Sequence, residues 1–204
     1  MTNVIEKLGE LFREFPGIGP RQARRFVYFL LRQDESYIKN LVESVGELRE
    51  SVRECESCFR FFIPQRSVRL ERSDLCDLCA DKHADKSVLL IVEKDVDLDN
   101  VRKTGKYHGQ YFILGGLLPI LEKKPESCIR ISELRERLKS DKDIREVILA
   151  ISANPVGDNT VDYLREELSK FKIKVSVLGR GLSTGTELEY SDSSTLSHAI
   201  ENRH

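Results

Sequence analysis

Four of the five cysteines in this 204-residue chain fall in two Cys-x-x-Cys pairs. Cys55 and Cys58 form the first pair, Cys76 and Cys79 form the second, and 17 residues separate the pairs. Two thiolates from each pair can complete a tetrahedral metal site, and four sulfurs leave no position open for catalysis. The spacing therefore predicts a structural zinc site. Redox pairs or buried thiols are the alternative, and His83 is interpreted as a surface residue rather than a ligand.

The turn at 16–20, Pro-Gly-Ile-Gly-Pro, is the second place where residue types and spacing indicate chemistry. Its two glycines lack a Cβ and can adopt positive φ, so the backbone can approach a phosphate closely. Pro20 suits the first turn of a helix, whose N–H groups bind anions. The predicted DNA-binding residues are Gly17, Gly19, Arg21, Arg24 and Arg25. A tight turn between packed helices, with solvated arginines, is the alternative.

Local charge supports the DNA-binding interpretation, although the whole chain carries a formal net charge of only −1. Residues 16–33 contain four arginines and no acidic residue, whereas 34–58 contain seven acidic and three basic residues. A basic turn of this kind binds phosphates without reading bases, so we expect binding to be sequence-independent and salt-sensitive. The near-neutral composition excludes a uniformly basic coat protein and an acidic disordered tail.

Hydrophobic periodicity predicts the elements that position these residues. Apolar residues at helical spacing predict helices within 1–33, with a break at 15–20, and over 36–54. Four apolar runs predict buried strands, at 87–92, 111–114, 147–151 and 173–178. Helical patterns between these runs favour an α/β domain with a mostly parallel sheet.

The sequence thus predicts an α/β multidomain protein. Its parts are a helical domain at 1–54, a four-cysteine zinc finger at 55–79, an α/β domain at 80–180 and a C-terminal segment at 181–204. No apolar run reaches the length of a membrane span, and the N-terminal residues lack the pattern of a secretory signal. We therefore expect a cytoplasmic protein.

Motifs after residue 86 resemble a Toprim domain. They are VLLIVE at 88–93, TGKYHG at 104–109, YFILGG at 111–116 and VILAISANP at 147–155. The basic hairpin and the four-cysteine finger precede them, and GRGLSTGTELEY at 179–190 follows. With its parts in this order, the chain is identified as a divergent member of the bacterial RecR recombination-mediator family.

That resemblance implies a DNA-binding mediator of recombinational repair and not an enzyme. Arg21 and Arg25 match the family's basic hairpin positions and would contact phosphates, with Arg24 assisting. The resemblance also implies a ring-shaped homo-oligomer, which we expect to be a tetramer, that encircles DNA. It implies RecO- and RecF-type partners, loading of recombinase onto single-stranded gaps, and association with the bacterial nucleoid.

Catalytic Toprim enzymes hold Mg²⁺ with a glutamate after the first strand and an Asp-x-Asp after a later one. Glu93 matches the glutamate, but residues 152–158 contain no Asp-x-Asp and offer only Asp158. We expect Glu93 and Asp158 to form a partner-binding or vestigial metal site. With Asp95 and Asp97 nearby, a metal-dependent Toprim nuclease or primase-like enzyme is the alternative function. An interaction module without a DNA role is a third.

Two features depart from the family pattern. The family has a shorter stretch between its cysteine pairs, and its segment after the Asn154-Pro155 pair is longer and carries one more acidic residue. The long stretch here contains basic and aromatic residues, which either contact DNA or pack on neighbouring helices: Phe59, Arg60, Phe61, Phe62, Arg66, Arg69 and Arg72. The fifth cysteine, Cys128, is expected to be a partly buried thiol.

Overall fold

The computed structural model describes residues 3–64, 74–179, 182, 185 and 187–201, with the backbone alone at 194, 198 and 201. The chain divides into two compact units, Met1–Val52 and Arg53–His204. Arg66, Arg69 and Arg72, between the cysteine pairs, lie outside the described residues, as do several positions of the C-terminal segment.

Residues 3–52 form three helices, α1 (Val4–Arg13), α2 (Pro20–Leu30) and α3 (Glu35–Ser51). Asn3 caps α1, because its side chain accepts a hydrogen bond from the N–H of Ile5 at 3.2 Å. Asp34 caps α3 in the same way, accepting from the N–H of Tyr37 at 2.8 Å. Side-chain oxygens at these positions satisfy N–H groups that have no partner inside the helix.

The core of this unit is small. Between α1 and α2, Gly9, Ala23 and Val27 are buried, and the rings of Phe12 and Phe26 meet edge to face at 5.7 Å. None of the residues of α3 is buried. Four apolar residues of its predicted stripe are exposed by 39% to 66%, namely Leu41, Val42, Val45 and Leu48. The helix forms as predicted, but its apolar face has no cover among the described residues.

The second unit begins with the cysteine finger. Two short strands, β1 (Arg53–Glu54) and β2 (Phe61–Phe62), pair antiparallel, and a helical turn, α4 (Asp77–Ala80), carries the last cysteine. Cys55 and Cys58 lie in the connection between the two strands, and Cys76 is the N-cap residue of α4.

A four-stranded sheet follows, built from β3 (Asp85–Val92), β4 (Gly109–Ile113), β5 (Glu146–Ala150) and β6 (Lys174–Val177). The order is β4-β3-β5-β6 and every pairing is parallel, which confirms the predicted class. Its connecting helices are α5 (Asp95–Lys103), α6 (Ile131–Ser140) and α7 (Pro155–Leu168). A further helix, α8 (Ser193–Glu201), lies in the C-terminal segment.

The two faces of the sheet are covered by different parts of the chain. Alternate strand residues such as Leu89 and Leu149 form one cluster with Leu134 of α6 and Leu164 of α7. On the other face, a second cluster joins β3 and β4 residues to Leu98 of α5 and to three cysteines, Cys55, Cys58 and Cys76. The finger therefore completes the hydrophobic core of the sheet.

Across the described residues, every helix is too short or too polar to span a membrane.

Candidate functional site

The backbone of the hairpin between α1 and α2 matches the prediction from its two glycines at Gly17 and departs from it at Gly19. Gly17 has a φ of +77°, a conformation that favours glycine, and the N–H of Ile18 closes the turn on the carbonyl of Phe15 at 3.0 Å. Gly19 has a φ of −82°, so it does not use the left-handed region. It serves instead as the N-cap residue of α2, and open space surrounds the position where a Cβ would lie.

The start of α2 is suited to an anion. Pro20 occupies the first turn, no side chain caps the helix, and the first turn carries no acidic residue. The first N–H groups of a helix have no intrahelical acceptor, so those of Arg21 and Gln22 are available to a ligand. The side chains of Arg21 and Arg25 are exposed, and Arg25 donates a weak hydrogen bond to Gln22 at 3.4 Å.

Arg24 differs from the other two arginines in its surroundings. It lines a groove of about 300 Å³ between α1 and α2, together with Glu6, Glu10 and Arg13. The two glutamates lower the positive potential there, since opposite charges at short range offset each other. Arg21 and Arg25 do not line this groove and are not placed beside these glutamates.

The four predicted cysteines converge. Their sulfur atoms all lie within 4.8 Å of one another, and the sulfurs of Cys58 and Cys76 are 3.6 Å apart. A tetrahedral zinc with Zn–S bonds of about 2.3 Å requires sulfur separations of about 3.8 Å. Among the described residues, this is the one group of three or more side chains that could hold a metal ion, and it does not include His83. The geometry is consistent with a structural metal ion.

Sulfur atoms this close also perturb one another. Hydrogen bonds with Cys58 and then Cys76 hold the pKa of Cys55 below its usual range, and the contact with Cys55 raises the pKa of Cys58. Four thiolates cannot share this space without a cation, because their repulsion in a buried site is large. A divalent metal would remove that conflict and hold all four in their ionised form.

The finger is joined to the edge of the sheet through its backbone. The carbonyl of Cys58 accepts a hydrogen bond from the N–H of Ile113, at the end of the edge strand β4, at 2.9 Å. Arg137 of α6 donates to the carbonyl of Ser57 at 2.9 Å and to the side chain of Gln110 on β4 at 2.7 Å. The first cysteine pair is therefore fixed to the sheet by two independent groups.

Arg130, just before α6, makes a second attachment. Its guanidinium contacts Glu54 of β1 at 2.6 Å and lies 5.1 Å from the ring centre of Phe59. The ring of Phe59 packs edge to face on Phe112 of the sheet at 5.4 Å. Phe59 thus packs between the finger and the sheet, on a strand residue and not on a helix.

Arg60 is also engaged within the unit. It lies 2.9 Å from Asp77 on α4, and Asp77 lies 3.6 Å from Arg102 on α5. The Arg60 guanidinium therefore stabilises the position of α4, which carries the second cysteine pair. Of the aromatic residues in this stretch, Phe61 is 56% exposed.

Glu93 lies at the carboxyl end of β3, as predicted, and is buried. One carboxylate oxygen accepts a hydrogen bond from Ser152 after β5 at 2.8 Å, and the other lies 2.5 Å from the ammonium of Lys94. The contact with Glu93 raises the pKa of Lys94. Asp158 is exposed in the first turn of α7. Both oxygens of Glu93 are therefore engaged by neighbouring side chains.

Sequence reasoning did not find Arg130, Arg137, Lys94 or Ser152. Arg137 contacts a residue 80 positions earlier in the chain, and Ser152 contacts one 59 positions earlier. No local pattern marks such a pair. For Ser152, its place directly after a buried strand neighbouring β3 is the signal that could have identified it.

Comparison with known families covers most of the chain. Residues 5–48 match the family description "RecR, helix-hairpin-helix", residues 87–179 match "Toprim domain", and residues 181–204 match "RecR, C-terminal". The order of the three matches is the order in which hairpin, sheet and C-terminal segment occur here.

Full-length relatives agree. The chain is 35% identical over 199 residues to Recombination protein RecR of Bifidobacterium adolescentis, which covers 98% of this chain and 94% of the relative. It is 34% identical to the protein of that name from Rubrobacter xylanophilus, covering 98% and 95%. The corresponding protein of Bacteroides thetaiotaomicron is 36% identical over 200 residues, covering 98% and 93%. On its helix-hairpin-helix, Toprim and C-terminal segments, and on its full-length relatives, the chain belongs to the RecR family.

Proposed function

We propose that this protein binds DNA through the α1–α2 hairpin and acts as a mediator in recombinational DNA repair. The observation that carries the proposal is the pair of exposed arginines, Arg21 and Arg25, at the start of an uncapped helix. The name shared by the relatives supports a role in recombination. The hairpin offers backbone N–H groups and guanidinium groups to phosphates, so binding depends on salt and not on base sequence.

We infer that Cys55, Cys58, Cys76 and Cys79 bind one Zn²⁺ with a structural role. Four thiolates are the ligand set of structural zinc sites, and they leave no position for a reactive water. Three of the four sulfurs lie in the core cluster beneath the sheet. When bound, the metal neutralises the thiolates and ties two distant segments of chain together.

The protein does not act as an enzyme in this proposal. A Toprim catalytic centre needs several carboxylates that share metal ions. Here Glu93 is the one buried carboxylate at the carboxyl ends of the described strands, and Ser152 and Lys94 already engage it. Those contacts favour a structural or partner-binding role for Glu93.

We also propose that the chain assembles into a ring-shaped tetramer that encircles DNA. The uncovered stripe of α3 supports self-association, because an apolar face of four residues exposed by 39% or more is costly to leave in water. RecO- and RecF-type proteins are the partners we expect, with recombinase loading onto single-stranded gaps in the nucleoid as the outcome. The carboxyl end of the sheet suits a protein partner, since it combines acidic residues with exposed Ile120 and Leu121.

A salt titration of DNA binding tests the hairpin. The double variant Arg21→Ala/Arg25→Ala should bind random-sequence duplex DNA more weakly, with the slope of log K against log salt reduced by about 0.9 for each phosphate that the variant no longer neutralises. Arg32→Ala/Arg49→Ala is the matched control, because it removes two exposed arginines of the same unit away from the turn. The hairpin assignment fails if the two double variants bind DNA equally well.

An incubation of DNA with the protein and Mg²⁺ or Mn²⁺ tests the absence of catalysis. We expect no cleavage or primer synthesis. Metal-dependent cleavage that Glu93→Gln abolishes would show instead that this chain is a nuclease.

A further inference from the structure

Opposite charges separate to the two ends of the parallel sheet. Four segments lead into the strands at the amino end, at 81–86, 103–108, 141–146 and 169–174. They hold nine Lys or Arg against five Asp or Glu, a formal charge of +4. The segments that leave the strands at the carboxyl end contain three Lys or Arg and six Asp or Glu, a formal charge of −3. They are 93–99, 114–124, 151–158 and 178–179. The basic amino end has no part in the function proposed above.

The basic residues of the amino end form a row. Hydrogen bonds between backbone groups join the starts of the strands: Asp85 to His108 at 2.9 Å, Arg145 to Ser87 at 2.8 Å and Lys174 to Arg145 at 2.8 Å. In the order β4-β3-β5-β6, the strand starts carry Lys106, Lys86, Arg145 and Lys172. With strands about 4.8 Å apart, the row spans roughly 14 Å. Phosphates of one DNA strand repeat about every 3.4 Å along the axis, so the row matches several of them.

These four cations are available to a ligand. All four are exposed. Among the described residues, the ion pairs at this end join Lys170 to Glu167, Lys174 to Glu146 and Arg137 to Asp141, and none includes a member of the row.

Most of the neighbouring acidic groups are engaged locally. Asp85 accepts hydrogen bonds from the N–H and the hydroxyl of Ser87, at 2.8 and 2.7 Å. Asp81 accepts from the N–H of His83 at 2.9 Å, and Glu146 accepts from Ser176 at 2.7 Å. The row leaves out Lys103, because bases in the last turn of a helix face the helix carbonyls and stabilise the helix itself.

The surroundings of the row favour nucleic acid over a protein partner. Protein interfaces depend on a few large apolar or aromatic anchors at their centre. All large apolar residues in the four amino-end segments are at least partly buried, whereas Val96, Ile120, Leu121 and Leu178 are exposed at the carboxyl end. A surface of long basic side chains without apolar anchors suits a phosphate backbone.

We propose that the amino end of the sheet is a second DNA-binding surface, which contacts backbone phosphates through Lys86, Lys106, Arg145 and Lys172. It extends the proposed DNA-binding function to the Toprim unit and rests on that function. Like the hairpin, it contacts phosphates and not base edges, so it adds affinity and salt dependence without sequence preference.

Charge-matched double variants of the full-length protein test this surface. Lys86→Gln/Lys106→Gln removes two cations of the row, and Lys123→Gln/Lys124→Gln removes two from the carboxyl end. Binding to random-sequence duplex DNA is measured across a series of KCl concentrations. We expect the first variant to reduce the slope of log K against log salt by up to about 1.8, since each phosphate bound contributes about 0.9, and the second to leave it unchanged.

A charge-conserving variant and a thermal unfolding scan separate binding from folding. Lys86→Arg/Lys106→Arg should keep the wild-type slope, and the Lys86→Gln/Lys106→Gln protein should unfold at the wild-type temperature. An unchanged slope for that glutamine variant overturns the second surface, as does an equal reduction in the Lys123→Gln/Lys124→Gln control. If the hairpin variant loses DNA binding while the row variant keeps the wild-type affinity and slope, the proposed function stands and this surface alone is rejected.

Discussion

The two units of the chain bury their apolar residues to very different degrees. In Met1–Val52, burial among the described residues is confined to Gly9, Ala23 and Val27, and α3 buries nothing. In Arg53–His204, leucine, isoleucine and valine residues of β3, β4 and β5 are buried on both faces of the sheet. The first unit presents its side chains outward, and the second holds its side chains in place. Internal packing is thus concentrated in the second unit.

The cysteine finger belongs to the second unit because it packs against the sheet. It is too short to form a core of its own, and small modules of this size depend on metal or disulfides. Here the sheet supplies apolar residues against which the finger packs. The finger covers the β4 edge and one face of the sheet. Substitutions in each unit would show how far it depends on such contacts.

The largest effect is expected from Cys58→Ser, at one of the three fully buried cysteines of the metal cluster. Losing one ligand should release the metal and destabilise the second unit by roughly 5 kcal/mol or more, because structural zinc contributes on the order of 10 kcal/mol to the folding of zinc fingers. Metal content by mass spectrometry and thermal unfolding measure both effects. Cys128→Ser is the control and should retain its metal. Retention of the metal by Cys58→Ser would contradict the four-sulfur site.

Arg137→Ala should have the next largest effect. Arg137 is 15% exposed, and its removal leaves the Ser57 carbonyl and Gln110 without their donors. We expect about 3 kcal/mol of destabilisation in urea unfolding, and faster metal release to a chelator because the first cysteine pair is less firmly held. Arg165→Ala, which removes an exposed arginine of α7, should change little. Equal metal-release rates in the two variants would show that the finger does not depend on this attachment.

A smaller, pH-dependent contribution comes from Glu167 on α7. Lys170 and Arg135 lie 2.5 and 2.7 Å from its carboxylate, and hydrogen bonds from Lys170 first and Arg135 next lower the pKa of Glu167. A carboxyl with a lowered pKa stabilises the folded state above its unfolded pKa, near 4.5, and loses that effect as the pH falls through the folded value. Glu167→Gln should therefore cost about 1 kcal/mol at pH 7 and progressively less below pH 4.5. A difference that persists unchanged in acid would contradict the ionic cause.

The smallest effect on stability is expected from Val45→Asp/Leu48→Asp in α3. Both residues are more than 60% exposed, so the free energy of unfolding of an isolated chain should change by less than about 0.5 kcal/mol. Self-association should fall instead, which the mass of the intact assembly measures. Lys39→Ala/Glu43→Ala on the polar face is the control. An unchanged mass in the apolar-face variant would mean that this stripe is not a contact between copies.

Sequence patterns predicted more of the elements than of their contacts. The strands begin and end close to the apolar runs at 87–92 and 147–151, since a short continuous apolar run is typical of a strand buried on both faces. The period of α3 alone could not predict that its apolar face stays exposed. A helical stripe states which face is apolar, and only the surrounding chain decides whether anything covers it.

The candidate sites divide in the same way. Paired cysteines and a glycine-flanked turn are local patterns, so Cys55, Cys58, Cys76 and Cys79, the glycines and the arginines were all identifiable from spacing. The difference between Arg24 and its neighbours was not, because it depends on Glu6 and Glu10 from another helix. The hydrogen bond from Ser152 to Glu93 was not identifiable from spacing either, because it requires β3 and β5 to lie side by side.

The sequence by itself determined the order of the parts, the fold class, the four sulfurs and the basic turn. Each of these depends on residue types that lie only a few positions apart. Tertiary structure alone decided that the finger is part of the sheet's core and that Arg130 and Arg137 attach it there. It also decided that three dispersed lysines and one arginine form a row at the amino end of the sheet. The physical reason is strand order, because parallel pairing aligns the starts of segments that lie far apart in the chain.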